Sequence, residues 1–309
     1  MRTSPHCGWM YIMAETRLSI AKKDIVACFD AQPRRVFRRE EIARLLRSNR
    51  EGWRLAQRTG LREFIAWLTE RAFLRPIPLE FTQRKPITVY VWRTASPHEV
   101  ALATGPREKT CLGYFTAAAF HDLTLQTPNT IHVCIEQPPK KSARPALTQE
   151  MIDAAFAKSP RVSQARARWK GWNILLVNTV YSGGLGVYPM ESSVAGGYPL
   201  RATDLERTLI DLTVRPHYGG GPAEVLDCFR RATARVSVNR LRSYLQKLGY
   251  LYPYHQAIGF YLEAAGIERK RLQPLESFPV ELDFPLAHGT SCPLYSRRWR
   301  VRYPEGLRE

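Results

Sequence analysis

Residues 61–93 have the sequence LREFIAWLTERAFLRPIPLEFTQRKPITVYVWR, and this stretch decides the fold prediction. Its first part carries apolar side chains at Leu61, Phe64, Ile65, Leu68 and Ala72. These positions are i, i+3, i+4, i+7 and i+11, so they form one stripe along a helix. The polar or small side chains of Arg62, Glu63, Ala66 and Glu70 fall on the opposite face.

The second part of the stretch cannot continue that helix, because Pro76 and Pro78 lack the backbone N–H that a helix needs. Two apolar runs, Leu79–Phe81 and Ile87–Val91, predict two strands. The segment Thr82–Pro86 between them is polar and basic and predicts the turn of a hairpin.

Two further helices are predicted upstream. Ser19–Ala31 carries apolar residues at helical spacing and ends before Pro33, and Arg38–Arg47 follows a short apolar step at Val36 and Phe37. Three helices and a hairpin with a basic tip are typical of a winged helix-turn-helix. We therefore predict such a domain over residues 16–94.

The charge of the chain favours a polyanionic partner. The 309 residues include 46 Lys and Arg against 28 Asp and Glu, a formal net charge of +18, and cations that neutralise phosphates release condensed counterions. The region Arg34–Arg62 is especially rich in arginine. An alternative remains open, because winged helices also serve as protein-binding modules and charged helix faces are often simply solvated.

If the partner is double-stranded DNA, the predicted third helix fits the major groove and the hairpin turn lies beside it. The residues predicted to face the groove are Thr59, Arg62, Glu63 and Ala66. The residues predicted to contact the DNA backbone are Arg58, Gln83, Arg84 and Lys85.

The rest of the chain predicts a larger domain. Residues 95–110 contain Pro97, Gly105 and Pro106 and predict a linker. Helical and strand patterns alternate from residue 111 to residue 309, which favours a mixed α/β domain. They include a helix over Thr148–Ala157, with Thr148 as its expected N-cap, and a strand over Trp172–Asn178. The sequence Thr203-Asp204-Leu205-Glu206 has the form of a capping box, with Thr203 as the expected N-cap.

No pattern in the sequence predicts a catalytic, metal or cofactor site. The six cysteines are dispersed without a C-x-x-C pair, the seven histidines lack paired spacing, and the glycine clusters lack a nucleotide-binding pattern. Gly196 and Gly197 followed by Asp204 and Glu206 loosely resemble a nucleotidyltransferase site. Helix capping accounts for the same carboxylates, so we expect a protein that is not an enzyme.

Cellular location is predicted from what the sequence lacks. There is no apolar run of membrane-spanning length and no signal peptide pattern at the start. Dispersed cysteines suit reduced thiols. We expect a cytoplasmic protein that does not contact membranes, with residues 1–15 disordered.

Three phrases in the second domain carry a family resemblance: LGYFTAAAFHDLTLQTPNTIHVCI, ATDLERTLIDLTVRPHYGGGPAEVLDCF and YPYHQAIGFYLEAAG. Together they resemble the AbiEi antitoxins of type IV toxin–antitoxin systems, over about Leu112 to Gly266. The resemblance implies an N-terminal winged helix and a larger α/β domain with antitoxin activity that assists DNA binding. It also implies repression of the protein's own operon through inverted repeats and counteraction of a nucleotidyltransferase-like toxin, with or without stable contact. The longer basic hairpin region and the extra N-terminal residues depart from the family pattern.

Two other functions remain open: a stand-alone winged-helix regulator or phage-defence DNA-binding protein, and a nucleotidyltransferase or nuclease with a DNA-targeting module. No coiled-coil heptads occur, so we expect a monomer that binds its inverted-repeat operator cooperatively.

Overall fold

The computed structural model describes residues 16–83, 85–93, 99–105, 109–139, 146–190, 200–289 and 291–307. The protein is a mixed α/β protein, as predicted, and it forms two units. The described residues of Met1–Ile77 and Thr88–Ser96 form the first unit. Those of Pro78–Ile87 and Pro97–Glu309 form the second. The predicted disorder of residues 1–15 and the predicted DNA contact of Arg84 lie outside the described residues.

The N-terminal region follows the predicted order of helices and strands. Its elements are α1 (Arg17–Ile20), α2 (Lys22–Asp30), β1 (Val36–Phe37), α3 (Arg39–Asn49), α4 (Leu61–Glu70), β2 (Leu74–Leu79) and β3 (Ile87–Trp92). The three strands form one sheet in the order β1-β3-β2, and β1 is antiparallel to β3. Three aromatic side chains pack together in the core of the first unit. The ring of Phe29 stacks on that of Trp92, with 4.5 Å between the centroids, and lies 6.4 Å from the ring of Phe64.

Two boundaries differ from the predictions. The predicted first helix is divided into α1 and α2 at Ala21, and Thr16 caps its start by accepting a hydrogen bond from the Ser19 N–H. The predicted strand Leu79–Phe81 overlaps β2 only at Leu79, because β2 begins at Leu74 and includes Pro76 and Pro78. Prolines are tolerated there because the strand order places β2 at the edge of its sheet.

The second unit contains a six-stranded sheet in the order β6-β7-β5-β4-β9-β8. The strands are β4 (Thr110–Leu112), β5 (Thr130–Glu136), β6 (Arg166–Trp169), β7 (Trp172–Thr179), β8 (Val187–Met190) and β9 (Leu200–Thr203). Strands β5 and β7 are parallel, as are β4 and β9, whereas β4–β5, β6–β7 and β8–β9 are antiparallel pairs. Three helices precede or interrupt this sheet in sequence: α5 (Glu99–Thr104), α6 (Tyr114–Phe120) and α7 (Gln149–Phe156).

The predicted linker at 95–110 is structured where it is described. Helix α5 lies within it, and Val100, Ala101 and Leu102 are buried. The linker prediction followed the glycine and prolines and gave too little weight to the apolar run VALA between them.

The remaining helices surround the main core of the second unit. They are α8 (Leu205–Val214), α9 (Pro222–Ala232), α10 (Val238–Leu248), α11 (Tyr254–Ala264) and α12 (Arg269–Glu276). A small sheet follows, with β10 (Phe284–Pro285), β11 (Leu294–Ser296) and β12 (Val301–Tyr303) in the order β10-β12-β11. The described helices are all too short or too polar to cross a bilayer.

The start of α8 corrects the predicted capping box. Asp204, rather than Thr203, is the N-cap, and its carboxylate accepts a hydrogen bond of 2.8 Å from the Arg207 N–H. Thr203 is instead the last residue of β9, a strand that the sequence pattern did not predict. Glu206 does not bond back to the start of α8, because its carboxylate accepts from the Ser237 N–H and from Arg240.

Candidate nucleic-acid interface

Helix α4 has two distinct faces. Phe64, Ile65, Trp67 and Leu68 are buried in the first unit. Arg62, Glu63 and Ala66 are exposed on the other side, where the apolar spacing predicted them. A helix held by one apolar face can present the opposite face to a partner without losing its own packing.

The loop before α4 is fixed by Arg50, at the end of α3. Its guanidinium donates hydrogen bonds to the carbonyl oxygens of Ala56 and Thr59, the latter at 3.0 Å. Arg54 takes the left-handed conformation, with φ at 51°, and Arg58 is exposed. The backbone that presents Arg58 is therefore held in place by the helix before it.

One predicted groove residue lies elsewhere. Thr59 is buried, with 6% of its surface exposed, so its side chain does not join the exposed group on α4. The prediction that Thr59 faces the groove is therefore wrong, because the loop folds so that its side chain is covered and its carbonyl oxygen accepts from Arg50. Its neighbour Arg58 is at the surface instead.

The arginines of the region Arg34–Arg62 divide into two groups. Arg34, Arg35, Arg38 and Arg50 make hydrogen bonds or ion pairs within the first unit, and Arg44 also interacts with a neighbouring group. By contrast, no side-chain hydrogen bond or ion pair between described residues engages Arg39, Arg47, Arg54, Arg58 or Arg62, all of which are exposed. The second group supplies cations that are not neutralised by nearby carboxylates.

The predicted hairpin turn belongs to the second unit. Gln83 and Lys85 are exposed. Thr82 contacts strand β6: its N–H donates to the Arg166 carbonyl at 2.9 Å, and its hydroxyl donates to the Gln164 carbonyl. The turn is thus attached to the edge strand of the six-stranded sheet.

Strand β6 is strongly basic. Arg166 and Arg168 are exposed, while Ala167 between them is buried. Lys170 follows directly, with its ammonium 5.0 Å from the centre of the Trp169 ring. The sequence contains no Asp or Glu between Asp153 and Glu191, so this stretch has an uncompensated positive charge. That long gap between acidic residues was the available sequence signal for this basic strand, and the site prediction did not use it.

The carboxylates of the possible nucleotidyltransferase site are occupied by protein donors. Besides capping α8, Asp204 accepts a 2.6 Å hydrogen bond from the Tyr244 hydroxyl. Glu206 is buried and accepts from the Ser237 N–H at 2.8 Å and from Arg240 at 3.1 Å. Within the described ranges, no group of three or more His, Cys, Asp or Glu side chains is arranged to hold a metal ion.

The second unit also contains a polar cavity of about 280 Å³. Arg207 and Asp211 meet there as a buried ion pair, 2.9 Å between Nε and Oδ1, and Arg207 also donates to the Leu185 carbonyl at 2.8 Å. Glu136, at another wall of the cavity, accepts hydrogen bonds from Ser182 and from the Gly184 N–H. The residues that line the cavity include Lys109, Cys111, Cys134, Glu136, Ser182, Arg201, Arg207 and Asp211.

Burial governs the protonation of these groups. It raises the pKa of the Asp211 carboxyl by more than Arg207 lowers it. Burial lowers the pKa of the Arg207 guanidinium, but the charge of Asp211, its hydrogen bond with Arg207 and the neighbouring Tyr250 together raise that pKa by more, so Arg207 stays charged. At Glu136, burial raises the pKa, and the hydrogen bonds from Ser182 and Gly184 bring it below its usual range.

Comparisons with known proteins give a structural likeness but no family. No protein family matches the sequence, and no curated protein is significantly similar to it. The fold is similar to that in the crystal structure of the RV2827C protein from Mycobacterium tuberculosis, with a TM-score of 0.51 and 15% sequence identity. The match covers 93% of this chain and 92% of that chain, so the likeness extends over both units.

Proposed function

We propose that this protein binds double-stranded DNA, that its N-terminal region is a winged helix-turn-helix, and that α4 is the recognition helix. The observation that carries the proposal is the exposed face of α4, where Arg62 and the preceding Arg58 have no carboxylate partner among the described residues. A helix of this kind fits the major groove. The order of helices and strands and the β1-β3-β2 sheet also suit a winged helix.

The first prediction concerns the recognition helix. Replacing Arg58 and Arg62 together by glutamate weakens binding to the preferred duplex by at least about 30-fold, because two lost arginine contacts at about 1–3 kcal/mol each cost at least about 2 kcal/mol. Fluorescence anisotropy with a labelled duplex from the region upstream of the gene, at two salt concentrations, measures this effect.

The matched control is the double variant Arg231→Glu with Lys247→Glu. It removes the same net charge at two exposed positions of α9 and α10. The control retains most of the affinity if binding is local to α4. Equal losses in both variants would mean that only overall charge matters, and undiminished binding in the α4 variant would contradict the proposal.

We further propose that the second unit contacts DNA phosphates through strand β6 and the attached turn. Arg166, Arg168 and Lys85 are exposed cations in a stretch without carboxylates. Such contacts position a protein on DNA but carry no sequence information. The basic strand is thus suited to increase affinity for all sequences alike.

The corresponding prediction is a change in salt dependence. Replacing Arg166 and Arg168 by glutamate weakens the salt dependence of binding. The slope of log K against log salt becomes less negative by about two, because each phosphate contact contributes about one to its magnitude. The preference for the operator over an unrelated duplex of equal length stays the same. A slope equal to that of the unmodified protein, or a loss of preference only, would show that β6 does not contact phosphates.

The reason for DNA binding is proposed from the family resemblance. The phrases between Leu112 and Gly266 support an AbiEi-like antitoxin that represses its own operon through inverted repeats and counteracts a nucleotidyltransferase-like toxin. A promoter fusion tests repression. Co-expression with a nucleotidyltransferase-like reading frame beside the gene, scored by growth, tests antitoxin activity. Repression without growth rescue would favour the stand-alone regulator.

An enzymatic function is tested separately. Incubation with labelled nucleoside triphosphates, Mg²⁺ and candidate acceptors, comparing the unmodified protein with Asp204→Ala, distinguishes catalysis from binding. Because Asp204 caps α8 and accepts from Tyr244, we expect the Asp204→Ala variant to be less stable than the unmodified protein. We expect no transfer reaction with either protein. A transfer activity lost in a folded variant would overturn the assignment of Asp204 as a structural residue.

A further inference from the structure

Two cysteines that are 23 positions apart in sequence lie directly opposite each other in the sheet. Cys111 on β4 is the register partner of Cys134 on the antiparallel strand β5. Opposed residues of antiparallel strands have Cα atoms about 4.5–5.5 Å apart and side chains on the same face. A disulfide spans Cα separations of about 4.4–6.8 Å, so this placement suits one.

Because the two residues are opposed in register, their thiols lie side by side on one face of the sheet, where each influences the ionisation of the other. The backbone beside them is closely packed on Cys134, because a Cβ added at Gly113 would lie 2.5 Å from the Cys134 Sγ. A glycine at this position therefore leaves the space that the Cys134 sulfur occupies. The sulfur pair is part of the packed sheet rather than a chance approach of two mobile side chains.

An oxidant has a route to this pair. Both cysteines line the polar cavity of about 280 Å³ that also contains Arg207 and Asp211. Cys111 is partly exposed, whereas Cys134 is 3% exposed. A small oxidant that enters the cavity thus meets Cys111 first, with Cys134 behind it.

The environment distinguishes the two sulfurs chemically. The hydrogen bond from Cys134, with help from Arg207 and Arg201, lowers the pKa of the Cys111 thiol despite its burial. The same hydrogen bond and burial raise the pKa of Cys134. Since the thiolate is the reactive form, Cys111 is suited to be the nucleophile and Cys134 the resolving thiol.

We propose that Cys111 and Cys134 form an oxidisable dithiol, converted to a disulfide by peroxide and restored by thiol reductants. The proposal does not depend on DNA binding. Of the other described cysteines, Cys28 lies in the first unit, and Cys228 and Cys292 lie outside the six-stranded sheet.

The reaction balances in two steps. The Cys111 thiolate attacks one oxygen of hydrogen peroxide and the O–O bond breaks. Hydroxide leaves and takes up the proton that Cys111 had released, so the products are water and a Cys111 sulfenic acid. The Cys134 sulfur then attacks the Cys111 sulfur, the S–O bond breaks, and the departing hydroxide takes the Cys134 proton. Two thiols lose two electrons, and peroxide is reduced to two molecules of water.

Peptide mapping of the full-length protein tests the proposal without any substitution. The protein is treated with one equivalent of hydrogen peroxide, remaining thiols are alkylated, and the chain is cut with chymotrypsin, which cleaves between the two cysteines at Tyr114, Phe115 and Phe120. We expect a linked pair of peptides containing Cys111 and Cys134, loss of two of the six alkylatable thiols, and full recovery after dithiothreitol.

Single variants then identify the roles of the two sulfurs. Cys134→Ser leaves a Cys111 sulfenic acid that dimedone traps, Cys111→Ser leaves Cys134 unoxidised, and the control Cys28→Ser still forms the link. Alkylation of both Cys111 and Cys134 after peroxide treatment would overturn the proposal. So would preferential oxidation of Cys28 or links between two chains.

Discussion

Replacing Arg207 by methionine lowers the free energy of unfolding by about 3–5 kcal/mol, because the change leaves a buried carboxylate without its counter-charge. Asp211 is 4% exposed, and its second oxygen, Oδ2, has no hydrogen-bond partner among the described residues. Arg207 supplies the single 2.9 Å contact that compensates the charge at Oδ1. Without it, burial favours the protonated carboxyl.

The loss of stability has a defined pH dependence. Burial raises the folded-state pKa of Asp211, and the loss of Arg207 raises it further. A carboxyl whose pKa is raised on folding binds its proton more tightly in the folded state, so stability falls as pH increases. The free energy of unfolding that the variant loses relative to the unmodified protein is therefore small near about pH 4, the pKa of the unfolded carboxyl. This loss grows toward neutral pH.

Urea denaturation at several pH values measures this effect. The control Arg230→Met breaks an exposed ion pair with Asp227 and is expected to cost less than about 1 kcal/mol. The double variant Arg207→Met with Asp211→Leu recovers much of the loss, since apolar replacements of buried ion pairs are often neutral. A loss no larger than that of Arg230→Met, or one independent of pH, would contradict the assignment.

Adding a methyl group at Gly259 lowers stability by about 3 kcal/mol, near the upper end of the usual cost of overpacking. A Cβ at this position would lie 2.4–2.5 Å from three carbons of the Trp299 ring, which is closer than van der Waals contact allows. Trp299 cannot easily move away. It is fully buried, its indole N–H donates to Glu263 at 3.1 Å, and Gln256 donates to its carbonyl at 2.7 Å.

A double-mutant cycle tests whether the clash with Trp299 is the cause. If it is, Gly259→Ala costs little in a Trp299→Leu background, so the two changes are not additive. The control Gly60→Ala adds a methyl group where nothing lies within 4 Å and is expected to change stability by less than about 1 kcal/mol. Additive effects, or equal losses for the two glycines, would show that the ring does not cause the loss.

Local patterns predicted much of the fold. The stripe from Leu61 to Leu68 correctly located α4, since the apolar period of a helix is a property of the segment itself. Thr148 was correctly placed as the N-cap of α7. The predicted strand Trp172–Asn178 differs from β7 by a single residue at its end.

Features that depend on distant partners were missed. The contact of Thr82 with β6 joins residues more than 80 positions apart, and the pairing of Cys111 with Cys134 depends on the register of two strands. The spacing of the cysteines in the sequence predicted thiols far from one another, because spacing does not show which strands pair. Thr59 is buried and its carbonyl accepts from Arg50 of the preceding helix, a contact that no pattern within the loop predicts.

The edges of the six-stranded sheet bear on how the protein avoids aggregation. A free strand edge presents unpaired backbone groups that another chain can extend into a larger sheet. At one edge, β8 contains Pro189, which lacks an N–H. At the other, Thr82 already bonds the Arg166 carbonyl, and Arg166, Arg168 and the following Lys170 repel a second copy of the same strand. Alanine at the two arginines would therefore promote self-association, whereas glutamate keeps the edge charged.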